Sequence, residues 1–236
     1  MKIVNADWEE RNFGVTTQEL IVEDADTEAE IERGLSSLSA QYQVVKLPVS
    51  RVMYSGLIER RGFSFIETIV HIDVDRCAWG KALPDYKIMT EAERDDMVGH
   101  IAAGMFHTDR FSMDPFFPKG KVAGRYVNVV HDELGRGAVS LGLLHDGEIV
   151  GFAIIRKLRE EAYVCPLCGI YPQYLGRKLS ELIVGCGLAY IEDNGGGTLY
   201  SGVSSNNIAS LRTHMKAGHA PNALTYLFIK HVTEQF

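Results

Sequence analysis

The stretch GIYPQYLGRKLSELIV, residues 169–184, places a glycine and two cations, Gly176, Arg177 and Lys178, directly before a run with helical spacing. A helix N-terminus carries unpaired backbone N–H groups and the positive end of the helix dipole, so this turn is a candidate anion site. A solvated strand-to-helix connection would use the same residue types. Just upstream stands the pair Cys165-x-x-Cys168, a spacing that raises metal and redox chemistry. No second cysteine pair or His-x-x-x-His accompanies it to complete a zinc site, and no metal is expected. The pair lies in EAYVCPLCGIY, which reads as a strand, so all four cysteines are expected to be reduced and structural. That usage points to the cytoplasm.

These residues need elements to hold them. The amino-terminal part alternates strands and helices: RNFGVTTQELIV reads as a strand, DADTEAEIERGLSSLSA as a helix behind acidic start residues, and YQVVKLPV as a strand. SRVMYSGLIERRGF then reads as a helix ending at Gly62, and SFIETIVHIDV as a strand. The second part opens with helices in TEAERDDMVGHIAAGMF and VAGRYVNVVHDEL. Three apolar runs follow, GAVSLGLLH, EIVGFAIIRKL and EAYVCPLCGIY, the first two joined at His145-Asp146-Gly147, a hairpin signal. The helix after the Gly-Arg-Lys turn runs to Asn194, and TLYSGV, NNIASLRTHMKAG and ALTYLFIKHV give strand, helix and strand. LIERRGFSFIETIVHI and RTHMKAGHAPNALTYLFI echo each other as helix, glycine stop, strand.

This pattern predicts an α/β (mixed α+β) chain with a mostly antiparallel sheet. A small α/β unit spans residues 1–75, residues 76–87 form a linker, and a larger domain spans 88–236. With 236 residues, 46% of them hydrophobic, the chain can bury a sizeable core. Its net charge of −7 argues against nucleic acid as the main partner. No window reaches 18 consecutive apolar residues, so no membrane span is expected, and the first residues do not read as a targeting peptide. An exposed terminal strand is a candidate surface for a homodimer.

The element order of the second part, with the turn between its third strand and a helix, resembles the GNAT acetyltransferase superfamily over roughly residues 88–231. The family's phosphate loop, Pro-x-Tyr-Arg-Gly-x-Gly-x-Gly, stands here as Pro172-Gln173-Tyr174-Leu175-Gly176-Arg177-Lys178-Leu179-Ser180. Leu175 replaces the arginine, and Lys178 and Ser180 replace two glycines. Side chains are compatible with such a loop where φ stays negative, because backbone N–H groups do the holding. The family's closing motif, Asn-x-x-Ala-x-x-x-Tyr-x-Lys-x-Gly-Phe, is matched in spacing by Asn207, Ser210, His214, Lys216, Gly218 and His219. Shorter matches, Trp8-Glu9, residues 12–15, GFSFIE at 62–67 and Asp109-Arg110-Phe111, are similar to the TDP-fucosamine N-acetyltransferase branch.

The resemblance implies an enzyme that moves acetyl from acetyl-CoA to an amine, in that branch the amino group of a nucleotide-linked amino sugar. Cofactor contacts carry over to Leu175, Gly176, Arg177, Lys178, Leu179 and Ser180, to Asn207, and to Cys168, Gly169 and Ile170, whose backbone N–H groups would meet an oxyanion at a strand bulge. Asn207 is equally a helix N-cap. His214 takes the place of the family tyrosine that protonates the departing thiolate; an imidazolium serves that role and titrates near neutrality. Glu67 is the implied base for the amine. Arg110 is a candidate for pairing a diphosphate, and Phe111 and Phe117 for stacking on a base or sugar, or else for plugging a loop. Another small amine or a protein amine is an alternative acceptor. A non-catalytic acyl-CoA-binding regulatory domain is the alternative of a different class, motivated by the lost loop arginine, two loop glycines and tyrosine.

Overall fold

Among the described residues ten segments form strands, some alternating and some continuously apolar, and all ten join one sheet. The computed structural model describes residues 1–75 and 79–232, without the side chain of residue 75. In chain order the first half gives β1 (Lys2–Asn5), α1 (Asp7–Phe13), β2 (Thr17–Ile21), α2 (Glu28–Ser37), β3 (Tyr42–Pro48), a 3-10 turn at Val49–Tyr54, α3 (Ser55–Arg60) and β4 (Ser64–Asp75). The second gives β5 (Tyr86–Ile88), α4 (Glu91–Ala102), α5 (Arg110–Met113), α6 (Lys119–Gly135), β6 (Val139–His145), β7 (Glu148–Arg159), β8 (Ala162–Ile170), α7 (Ser180–Asp193), β9 (Thr198–Ser204), α8 (Ile208–Lys216) and β10 (Ala220–His231).

The sheet order is β1-β2-β3-β10-β4-β9-β8-β7-β6-β5. Two pairs are parallel, β2 with β3 and β8 with β9, each joined through a crossover helix, α2 or α7. The order repeats about the β10/β4 boundary: β3 corresponds to β9, β2 to β8 and β1 to β7. Each half donates its last strand to the other, because β4 pairs with β9 and β10 pairs with β3. The helix–glycine–strand echo marks this relation, with Gly62 at φ 84° and Gly218 at φ 88° ending α3 and α8.

The amino-terminal unit and the larger unit therefore share their central strands. Residues 76–78 of the expected linker, Cys77 among them, lie outside the described residues. Its Trp79 is buried and packs against Gly185 of α7, where a Cβ would meet the indole at 2.7 Å. RNFGVTTQELIV is not one strand. Residues 11–13 complete α1, which Gly14 ends at φ 76°, and the strand begins at Thr17. The terminal strand expected to be exposed is central, with partners on both sides, so it offers no edge for a dimer. Among the described residues no helix is long and apolar enough to cross a membrane.

Candidate active site

Two bulges and one divergence make the site. Along β7 and β8 the register runs Ile154 with Leu167 and then Arg156 with Val164, so Cys165 and Pro166 together oppose Ile155. In a regular strand residues i and i+3 face opposite ways; the extra residue resets the alternation. Cys165 and Cys168 consequently line the same cavity. The neighbouring Cys168 thiol and burial push the Cys165 thiol up. The bulge expected to serve Cys168, Gly169 and Ile170 thus falls at Cys165–Pro166. On its other side β8 pairs with β9 only at Ala162, Tyr163 and Val164. Beyond them the strands part, and the β8 edge from Leu167 to Ile170 carries no ladder to β9.

The second bulge is at Ile66, where β4 pairs Glu67 with Leu227 but Phe65 with Phe228. Simple alternation fails there: Phe65 is half-exposed, and Glu67 is 2% exposed. Burial raises the Glu67 pKa, while a 2.6 Å hydrogen bond from Ser204 Oγ opposes that rise. Arg110 follows as a smaller, favourable charge.

His214 lies on α8 and is 5% exposed. Its Nδ1 is 3.2 Å from Nδ1 of His219. Burial lowers the two imidazoles to about 4 and about 3. At neutral pH His214 is therefore an uncharged imidazole, unlike the cationic donor expected at that position.

Glu67, Arg110, Phe111, Cys168, Asn207 and His214 meet in one cavity of about 250 Å³. Asn207 caps α8, its Oδ1 accepting from Ser210 N at 3.0 Å. Arg110 Nη2 is committed to Glu19 Oε1 at 3.1 Å. Burial raises Glu19, but Arg110 and Lys46 bring it below its ordinary value. Phe111 is buried against the guanidinium groups of Arg110 and Arg125, 4.5 and 4.3 Å from its ring centre. Phe117 packs with Phe13, Tyr42 and Phe111 in an aromatic core and does not line this cavity. A larger depression of about 830 Å³ beside β5 gathers none of the expected site residues.

Gly169, Ile170 and the 175–180 segment lie beyond the cavity walls, along the open β8 edge and at the start of α7. Gly176 has φ 80° and Lys178 φ 61°, so the lysine adopts a left-handed conformation where a negative φ was expected. Leu179 follows in the right-handed region. Such alternation gathers successive N–H groups into an anion-holding concavity, here at the mouth of a 14-residue helix. Arg177 lies over the Tyr174 ring at 5.1 Å. A turn of this conformation can hold an anion through its N–H groups, and an unpaired strand edge can pair with amides. No group of three or more His, Cys, Asp or Glu among the described residues is arranged to hold a metal.

Several contributors escape sequence reasoning. Ser204 belongs to no motif, yet it holds Glu67. Tyr126 reads as core and lines the cavity. Arg125 clamps the fully buried Glu9 through contacts of 2.6–3.0 Å, which ties α1 to α6 behind the site. Only the Trp8-Glu9 match hinted at that clamp.

Residues 110–219 match the model of the acetyltransferase (GNAT) family. No curated protein matches the chain. Among solved structures, a GCN5-related N-acetyltransferase from Sphaerobacter thermophilus is similar with a TM-score of 0.63 at 11% identity, covering 98% of this chain and 75% of that one. A tandem GNAT protein from the clavulanic acid biosynthesis pathway gives 0.60 at 12% identity, with coverage of 94% and 79%. A GCN5-related N-acetyltransferase from Kribbella flavida gives 0.58 at 13%, with 93% and 83%. Residues 110–219 thus match the acetyltransferase (GNAT) family, and the chain as a whole has the fold of these acetyltransferases.

Proposed function

We propose that this chain transfers acetyl from acetyl-CoA to an amine, with Glu67 as the proton acceptor and His214 as the group that meets the departing sulfur. The observation that carries this reading is their convergence, from β4 and α8, on one cavity where β8 and β9 part. Acetyl-CoA supplies the acetyl group as an activated thioester. The backbone of residues 176–180, with Arg177 and Lys178, holds its pyrophosphate; Asn207 and the β8 edge at Cys168, Gly169 and Ile170 line the path of its arm. Strand-edge N–H groups there are available to the thioester oxygen as it gains charge.

Glu67 takes the amine proton as the C–N bond forms. A raised pKa suits this task, because a base works best near the operating pH. The C–S bond then breaks with its electron pair on sulfur. A thiol is a much stronger acid than a neutral imidazole N–H, so His214 keeps its proton and hydrogen-bonds the thiolate until solvent protonates it. Excess charge is spread without a cation being buried.

For the acceptor we carry forward the amino group of a nucleotide-linked sugar, supported by the aromatic residues Phe106, Phe111 and Tyr126 and by Arg110 in the lining of the cavity. The free thiols of Cys165, Cys168 and Cys186 fit a reducing cytoplasm. Thiol release from acetyl-CoA, followed with a panel of amino-sugar nucleotides and simple amines, tests the reading. Acetyl-CoA binding with release on one nucleotide sugar is expected. Release only with other amines would replace the acceptor, and binding without any release would favour a regulatory acyl-CoA-binding domain.

A further inference from the structure

Helix α8 ends in a Schellman motif. Gly218 takes the left-handed position at φ 88°, His219 N donates to His214 O at 3.0 Å, and Gly218 N donates to Met215 O at 3.2 Å. This ending brings the side chains of the residues five apart into contact, a place commonly filled by two apolar groups. Here two histidines meet instead, with ring centres 4.5 Å apart at 77°. Their Nδ1 atoms, 3.2 Å apart, share one hydrogen, since two would clash and none would leave two lone pairs facing.

Which ring owns that hydrogen follows from the far side of His219. Its Nε2 is buried with no partner. If His214 donated, His219 would carry its own proton on Nε2, as a buried N–H with nothing to receive it. Orphaned buried donors are rarer than unfilled acceptors. If His219 donates from Nδ1, only a lone pair is left unfilled. His214 then accepts at Nδ1 and carries its proton on Nε2, the nitrogen left for the cavity it lines.

We infer that His219 is a positioning residue, which fixes His214 in the Nε2–H tautomer so that a proton donor is presented to the departing sulfur. This inference rests on the proposed acetyl transfer. Both rings are neutral at pH 7 because burial disfavours their charged forms. The donor is then always loaded and waits on no titration. A tyrosine hydroxyl, the group the family uses here, also donates while neutral. The histidine differs in having two possible donor atoms, which is why it needs a neighbour to select one.

The test uses the full chain labelled with 15N-histidine and long-range proton–nitrogen correlation, which reads each tautomer without any substrate. Wild type is expected to show His214 as Nε2–H and His219 as Nδ1–H. His219→Leu should release His214 into a mixture of tautomers and lower kcat about tenfold, with KM for acetyl-CoA within about twofold. His219→Asn, whose side-chain amide can donate from nearly the same place as Nδ1, should restore both the tautomer and most of kcat. His214 found as Nδ1–H in wild type would overturn the inference. So would a His219→Asn variant that behaves like His219→Leu. Acetyl-CoA binding by calorimetry separates the two levels: absence of binding overturns the acetyl-transfer reading and the positioning role with it, even where the tautomers come out as expected.

Discussion

Glu67 is buried because a bulge at Ile66 turns it from the solvent side of β4 into the cavity, and its basicity is set by two opposed effects. Burial raises its pKa and the Ser204 hydroxyl lowers it. The base must be deprotonated, so kcat/KM should fall as pH drops through a value above the ordinary glutamate range. Ser204→Ala removes the group that favours the carboxylate and should move that acid limb higher. Glu67→Gln should cost about 100-fold or more in kcat while acetyl-CoA affinity stays. An unchanged limb in Ser204→Ala would disconnect Glu67 from catalysis. The histidine pair makes a separate prediction about stability. Both folded-state pKa values, about 4 and about 3, lie below the ordinary 6.5. The stabilisation from keeping these rings neutral is present above pH 6.5 and is lost as pH falls toward 4. The loss is on the order of 3 kcal/mol for each ring by pH 4. Urea unfolding at pH 7 and pH 4.5 reads it, and the pH difference should shrink in a His214→Leu/His219→Leu double variant. Position 214 was legible from the closing motif, but its neutrality was not, since burial depends on packing that no local pattern encodes.

At the scale of elements, the helices were the most legible. Thr27 with Glu30 and Thr90 with Glu93 form reciprocal capping boxes, so α2 and α4 begin where their acidic starts indicate. The β6–β7 hairpin turns on Asp146 and Gly147, both at positive φ, as its sequence requires. Bulges were not legible, because one extra residue in a strand changes no composition and only its partner reveals it. The loop before α7 fell between these cases: its glycine and cations were plain, but Lys178 was expected to keep a negative φ. If backbone N–H groups hold the pyrophosphate, conformation should outweigh charge there. Lys178→Gly should then bind acetyl-CoA within about threefold of wild type, whereas Lys178→Ile, which resists a positive φ, should lose about tenfold or more. Equal losses in both variants would mean that the ammonium group does the holding.

For the whole molecule, the exchange of β4 and β10 decides what each half can do alone. The helix–glycine–strand echo hinted at two related halves, but pairing between strands some 150 residues apart has no local signature. Because β4 lies between β10 and β9, residues 88–236 expressed alone should show no cooperative thermal transition, and adding residues 1–87 should restore one. A cooperative transition in the fragment would contradict the shared sheet. The halves also differ where a cofactor would enter. All five residues of β2 pair with β3, leaving no gap like that beyond Val164. The turn before α2 is acidic at Glu23, Asp24 and Asp26, with Asp26 held by the chain's amino group at 2.7 Å. An anion is repelled there, whereas the turn before α7 carries Arg177 and Lys178.

The most direct measurement is therefore isothermal titration of acetyl-CoA into the full chain, with Lys178→Ile and Glu67→Gln beside wild type. One molecule bound per chain, weakened in Lys178→Ile and unchanged in Glu67→Gln, is the expected result. No binding, or two molecules per chain, would contradict a single acetyl-CoA site built where β8 and β9 part.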